Sequence, residues 1–194
     1  MIFDSHSYSM LIVSSSDKFN DSLKPFIRDG NFYPVRYASS VSSAKRKLLE
    51  SNYDFVIINS PLTDDFGSKM AIDISSDKTS VCLLFVKSEM YEEITSSVSD
   101  YGVYTLYKPT SSSSIVQGLN WMKATRERLR LLEKKSVSLE DKMDEIRIVN
   151  KAKWVLIDKL KMTEGDAHKY IEKNAMDTGR TKRSVAEDII DTYT

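Results

Sequence analysis

Asp54-Phe55-Val56-Ile57-Ile58-Asn59-Ser60-Pro61 is the stretch on which the fold turns. Its unbroken run of large apolar residues, without polar alternation, suits a strand buried on both faces, as in a parallel sheet. Asn59, Ser60 and Pro61 then stop it. The same grammar repeats on either side. Upstream, Ser9 to Val13 reads as a strand, followed by Ser14-Ser15-Ser16-Asp17 as a capping loop. A helix then places Phe19, Leu23, Phe26 and Ile27 on one face and stops at Asp29-Gly30. Tyr33 to Ala38 is a strand, and Ser39 to Ser51 a helix with Val41, Ala44, Leu48 and Leu49 inward. Downstream, a helix over Lys69 to Ser75 leads to a strand over Ser80 to Val86. A helix over Glu89 to Ser99 leads to a last strand over Val103 to Tyr107, closed by Lys108-Pro109. Strands alternating with helices predict an α/β domain with a parallel sheet covered on both sides.

This spacing and the Lys108-Pro109 ending resemble a response-regulator receiver domain, which implies the flavodoxin-like (CheY-like) strand order over residues 1–122. By that resemblance, an aspartate ending the third strand accepts a phosphoryl group, and two acids after the first strand hold magnesium. A hydroxyl residue ending the fourth strand and a lysine before proline complete the set. Here those positions are Asn59, Ser14 and Ser15, Val86, and Lys108. An amide is no phosphoryl-accepting nucleophile, and two serines lack the charge a hard cation needs. Lysine alone matches. The acids Asp17, Asp64 and Asp65 stand further into loops and are expected to be solvated. The resemblance therefore implies a degenerate receiver, serving as a dimerisation or protein-docking platform or sensing something other than phosphate.

Composition narrows the rest. With 41% hydrophobic and 29% charged residues, the 194-residue chain is that of a water-soluble protein of one sizeable and one small domain. No apolar run approaches the roughly 20 residues of a membrane span, and Met1 to Met10 lacks the pattern of a secretory leader. A lone cysteine, Cys82, amid Val81, Leu83, Leu84 and Phe85, suits a buried strand thiol in a reducing cytoplasm. Histidines His6 and His168 are too far apart in sequence to suggest a zinc site. With no paired-carboxylate motif, metal cluster or glycine-rich phosphate loop, we expect no catalytic residues, no metal and no cofactor.

After Pro109, Thr110 to Ser114 reads as the cap of a long helix, placed at residues 111–150. From Met122 a 3-4-3-4 spacing runs through Thr125, Leu129, Leu132, Ser136, Leu139, Met143, Ile146 and Asn150, as in a coiled-coil seam. Ile115, Leu119 and Met122 are expected to pack on the sheet domain, and Trp121 with them. For Leu129 to Ile146 the spacing admits packing within the chain or a parallel homodimer, and we expect the dimer.

Near the C-terminus the helical pattern continues through Ala152, Val155, Leu156 and Leu160. Thr163 caps a second helix with Ala167, Tyr170, Ile171 and Ala175 inward. Asp177-Thr178-Gly179 forms a turn, and a third helix from near Thr181 buries Val185, Ile189 and Ile190. Arg147, Ala152, Lys153, Leu156, Ala167, Met176, Asp177, Arg180, Val185 and Ala186 stand, in order and spacing, where the ANTAR family has them. Residues 139–194 therefore resemble an ANTAR domain, a three-helix module that binds RNA hairpins in transcription antitermination. Departures are Trp154 for a glycine, His168 for an aromatic and Ala175 for a serine.

Formal net charge is zero, but Lys151 to Arg183 carries nine basic residues against five acidic ones, a modest local excess compatible with phosphate. The expected RNA contacts are Lys153, Arg180 and Arg147, then Lys182, Arg183 and Thr178. Arg180, Lys182 and Arg183 lie at a turn into a helix, whose free amides favour anions. For Trp154 a core position is expected rather than a stacking platform, and for His168 a surface one. Function thus points to a cytoplasmic RNA-binding antitermination regulator. The rivals are a DNA-binding regulator using the same helices and a protein-interaction adaptor without RNA binding.

Overall fold

Five parallel strands in the order β2-β1-β3-β4-β5 form the sheet in a computed structural model that describes residues 7–77 and 79–193. The expectation about a leader at Met1 to Met10 lies largely outside those residues. The strands are β1 (Tyr8–Val13), β2 (Phe32–Ala38), β3 (Phe55–Asn59), β4 (Val81–Lys87) and β5 (Tyr104–Lys108). Between them run α1 (Asp17–Asp29), α2 (Val41–Glu50), α3 (Ser68–Ser76) and α4 (Tyr91–Val98). The strand order is the flavodoxin-like one predicted, with β1 pairing both β2 and β3 and the order reversing between β1 and β3.

Successive side chains of each central strand enter opposite cores, which explains why the strands read as continuous apolar runs. Leu11, Val13, Val56, Ile58, Cys82, Leu84 and Val86 face α2, α3 and α4. Met10, Ile12, Phe55, Ile57, Val81, Leu83 and Phe85 face α1 and the start of α5 (Ser112–Leu160), through Leu23, Ile115, Leu119 and Met122. Burial pushes the Cys82 thiol far up, so it is an inert core residue. Leu49 departs from the expected inward face: it is 89% exposed, because Leu48, about 100° round the helix, takes the inward position with Val41 and Ala44.

Local caps fix the turns around the sheet. Ser16 Oγ accepts the Phe19 amide at 3.3 Å to start α1. Asp64 accepts the amides of Val41 and Ser42 at 2.8 and 2.9 Å, capping α2 from another loop, and those bonds hold its carboxyl below the usual range. Asp65 accepts the Gly67 amide at 2.7 Å, where φ is +91°. Asp64 and Asp65, two of the three acids expected to be merely solvated, are thus loop fasteners.

Asp54, at the threshold of β3, anchors α5. Its Oδ1 accepts Arg126 Nε at 2.8 Å and an Arg130 amino group at 2.9 Å, while Oδ2 accepts the Ser9 amide and hydroxyl. Tyr104 and Thr125 share a hydroxyl hydrogen bond of 3.2 Å, and Leu129 packs partly buried against the α1 side of the core. Packing within the domain therefore extends to Leu129, the first residue of the stretch expected to form the dimer seam. Trp121 sits with its ring 6.0 Å from that of Tyr104 but remains half exposed.

The chain divides into two units, one up to Leu131 and one from Leu132. In the second, the end of α5 packs with α6 (Glu164–Thr178) and α7 (Lys182–Tyr193) around Ala152, Leu156, Ala167, Ile171, Ala175, Val185, Ala186 and Ile189. Lys161 takes a positive φ of 54° and stops α5. Thr163 Oγ1 accepts the Asp166 amide at 3.2 Å to begin α6, and Gly179 closes it at φ +63°. Thr181 Oγ1 then accepts the Ser184 amide to begin α7. Tyr170, expected inward, lies 40% exposed beside Ile171, which takes the core position.

Candidate functional site

In the second unit, α5 presents Lys142, Ile146, Val149 and Lys153 at intervals of four, three and four residues, hence along one face. Together with Asn150, Glu145, His168 of α6 and Lys182 of α7, they line an open cavity of about 380 Å³. Its aliphatic residues are Ile146 and Val149, and its polar ones are three lysines, a carboxylate, an amide and an imidazole. Lys153 is the most enclosed of these cations: its side chain is 16% exposed, and its ammonium meets Glu164 at 3.1 Å. Lys182 pairs with Glu172, which His168 Nε2 also approaches at 3.4 Å. The Lys182 bond is the main cause holding the Glu172 carboxyl below its usual range.

The cavity gathers Lys153 and Lys182 from the six residues expected at the RNA surface. The other four are placed elsewhere. Arg180 bonds to Asp188 and to the Ser184 hydroxyl, bracing the turn into α7. Thr178 donates its hydroxyl to the Asn174 carbonyl at 2.6 Å within its own helix. Arg183 bonds to Glu187 at 3.0 Å, and Arg147 to Asp144 at 3.4 Å. Sequence reasoning overlooked Lys142, Asn150 and His168 as site residues. The signal was present: Lys142, Ile146, Val149 and Lys153 follow helical spacing, but the seam pattern claimed Ile146 and Asn150 first. Trp154 is corrected outright, since it is 70% exposed rather than in the core. Adjacent positions on a helix diverge by about 100°, and Ala152 and Leu156 hold the buried side.

The ten residues that suggested the C-terminal module divide by burial. Ala152, Leu156, Ala167, Val185 and Ala186 are core residues, Lys153 is partly buried, and Arg147, Met176, Asp177 and Arg180 are exposed. Half the pattern is therefore packing, with small alanines permitting close helix approach.

At the strand ends of the first unit, Asn59 is buried and bonded on both sides. Its Nδ2 donates to Ser14 Oγ at 3.0 Å, and its Oδ1 accepts Lys108 Nζ at 2.6 Å. Lys108 also donates to the Ser60 carbonyl. Ser15 is exposed and Val86 fully buried in the core. Burial, and then the charge of Lys87, hold the Lys108 ammonium below the usual lysine range. The two acceptors that Lys108 bonds, Asn59 Oδ1 and the Ser60 carbonyl, are neutral, and no cluster of metal-ligating side chains occurs among the described residues.

Comparison with known proteins agrees with both units. The ANTAR domain family model matches residues 138–190. The transcriptional regulatory protein PdtaR of Mycobacterium tuberculosis is 25% identical over 139 residues, spanning 72% of this chain and 68% of its own. Among solved structures, a two-component transcriptional regulator AraC from Clostridium phytofermentans ISDg superposes with a TM-score of 0.58 at 15% identity, over 64% of this chain and 98% of that one. A CheY-like response-regulator receiver domain from Methylobacillus flagellatus gives 0.52 at 19% identity, over 60% and 99%. At such identities these structures speak for the fold alone. Residues 138–190 are an ANTAR domain, and they follow a domain of the response-regulator receiver fold.

Proposed function

We propose that this chain is a transcription antitermination regulator that binds RNA hairpins through its ANTAR domain and is not switched by aspartyl phosphorylation. The observation that carries the reading is the cavity where Lys142, Lys153 and Lys182, three cations against the single acid Glu145, stand with Asn150 and His168 around the aliphatic Ile146 and Val149. A splayed RNA base needs an apolar or flat surface, an edge-reading amide and cations for its flanking phosphates. This groove supplies each. It lies inside the family match, and the relative PdtaR is named as a transcriptional regulator.

Two further elements complete the proposal. Leu132, Leu139 and Met143 lie exposed at heptad spacing along α5, N-terminal to the cavity residue Ile146, and a second copy of the same helix would cover them as a parallel homodimer. Asn59 in place of a carboxylate removes the nucleophile on which phosphoryl transfer depends. No helix among the described residues is long and apolar enough to cross a membrane, in keeping with a proposed cytoplasmic setting.

The test is a salt-dependent binding comparison of hairpin RNA with duplex DNA of matched sequence. Stronger binding to the hairpin, weakened by Lys153→Ala, supports the proposal. Equal or tighter binding to the duplex would point instead to a DNA-binding regulator. Failure to bind either, with a protein partner retained, would point to an adaptor.

A further inference from the structure

The C-terminal ends of the strands hold a second open cavity, of about 640 Å³, next to the crossover between β1 and β3. This is where sheets of this order leave a crevice for ligands, and the volume lies within the roughly 300–1,000 Å³ of small-molecule sites. We propose that this cavity binds a small organic carboxylate, its anionic end on Lys108 and its apolar body against Phe19, Phe85, Pro109 and Ile115.

Lys108 Nζ has three donors, and two go to the neutral Asn59 Oδ1 and Ser60 carbonyl. A half-buried ammonium among neutral acceptors gains from an anion more than a solvated lysine does. Lys18 also lines the cavity, and no carboxylate does among the described residues. The other polar groups are already engaged. Ser16 Oγ takes the Phe19 amide, the Ser22 hydroxyl donates to the Phe19 carbonyl, and the Thr110 hydroxyl donates to the Tyr107 carbonyl. Of the two cations in the lining, Lys18 is exposed and Lys108 half-buried, so Lys108 is the charge that seats an anion against the apolar side. Opposite it, Phe19 stands edge-on to Phe85, with ring centroids 5.0 Å apart, and Ile115 completes an apolar wall. A bare oxyanion would leave this wall unused. Thr110 and Ile115 lead into α5, so an occupant touches the start of that helix. None of this depends on the RNA reading.

Calorimetric titration of the full chain with 1-naphthoate, its neutral counterpart 1-naphthamide, and inorganic phosphate tests the site. The expected result is one saturable site with naphthoate favoured over naphthamide by about tenfold or more. Lys108→Gln should erase that preference while the far-ultraviolet circular dichroism is retained. Should that variant misfold, amide shift mapping on the unmodified chain decides, with changes expected around Phe19, Lys108 and Thr110. Equal affinity for the acid and the amide, no saturable binding by about 1 mM, or shifts confined elsewhere would overturn the proposal. Phosphate binding more tightly than naphthoate would overturn the carboxylate assignment in favour of a simple oxyanion site.

Discussion

Asp54 and Arg126 meet at 2.8 Å with side chains only 13% and 11% exposed, tying the threshold of β3 to the face of α5. Burial alone would raise the Asp54 carboxyl. Arg126, the Ser9 amide and hydroxyl, and Arg130 outweigh it, and its pKa falls below the usual range. Asp54→Asn leaves two arginines without their shared anion and should cost the receiver-fold domain about 2 kcal/mol, allowing for the water both guanidinium groups can still reach. Urea unfolding measures this. Because the folded pKa is depressed, the contribution is full above the unfolded value of about 3.9 and fades as pH falls through the folded one. The stability gap between the unmodified chain and the variant should therefore close in acid and not in base.

Asn59 sets a second expectation. Incubating the chain with a small phosphodonor and magnesium should leave its intact mass unchanged, and a stoichiometric acid-labile phosphoryl adduct would refute phosphorylation independence. Asn59→Asp should raise the Lys108 pKa, because a carboxylate at 2.6 Å would offset the burial and Lys87 repulsion that now depress it. Side-chain NMR titration of Lys108 reads the shift.

Lys153→Ala should weaken hairpin RNA binding by about tenfold and reduce the salt slope by about one phosphate contact. Arg180→Ala should behave differently, lowering the unfolding midpoint of the C-terminal domain, because Arg180 braces Asp188 and Ser184. A variant of Arg180 that loses RNA affinity with its unfolding midpoint unchanged would reverse this assignment.

Leu139→Glu should shift sedimentation equilibrium toward monomer, since it sets a charge in the middle of the exposed seam. Trp154→Ala, at a 70% exposed position, should change stability by no more than about 0.5 kcal/mol. A loss of several times that would mean the ring is buried in solution by a partner.

The sheet was legible because residues buried on both faces must be apolar without alternation, and Phe55 to Ile58 or Val81 to Val86 have few other uses. Caps such as Ser16 and Thr163 were legible for a similar reason, since a hydroxyl before an amphipathic run has a specific local role. What sequence hid was long-range. Asp54 looks like any acid before a strand, and its two arginines lie more than seventy residues away. Lys142 and His168 become site residues only once three helices meet. Trp154 was misjudged because a large aromatic in a small domain is ordinarily core, but the α5 spiral gave the buried positions to Ala152 and Leu156.

The amide at position 59 also bears on time. A phosphorylated aspartate stores its signal in a covalent bond, and the response lasts until that bond is hydrolysed. Asn59 offers no such bond, so anything acting at the Lys108 end of the sheet persists only for its own residence there. Under the functions proposed above, reset needs no phosphatase: the duration of the response would be an off-rate, and its amplitude would follow present concentration rather than past stimulation.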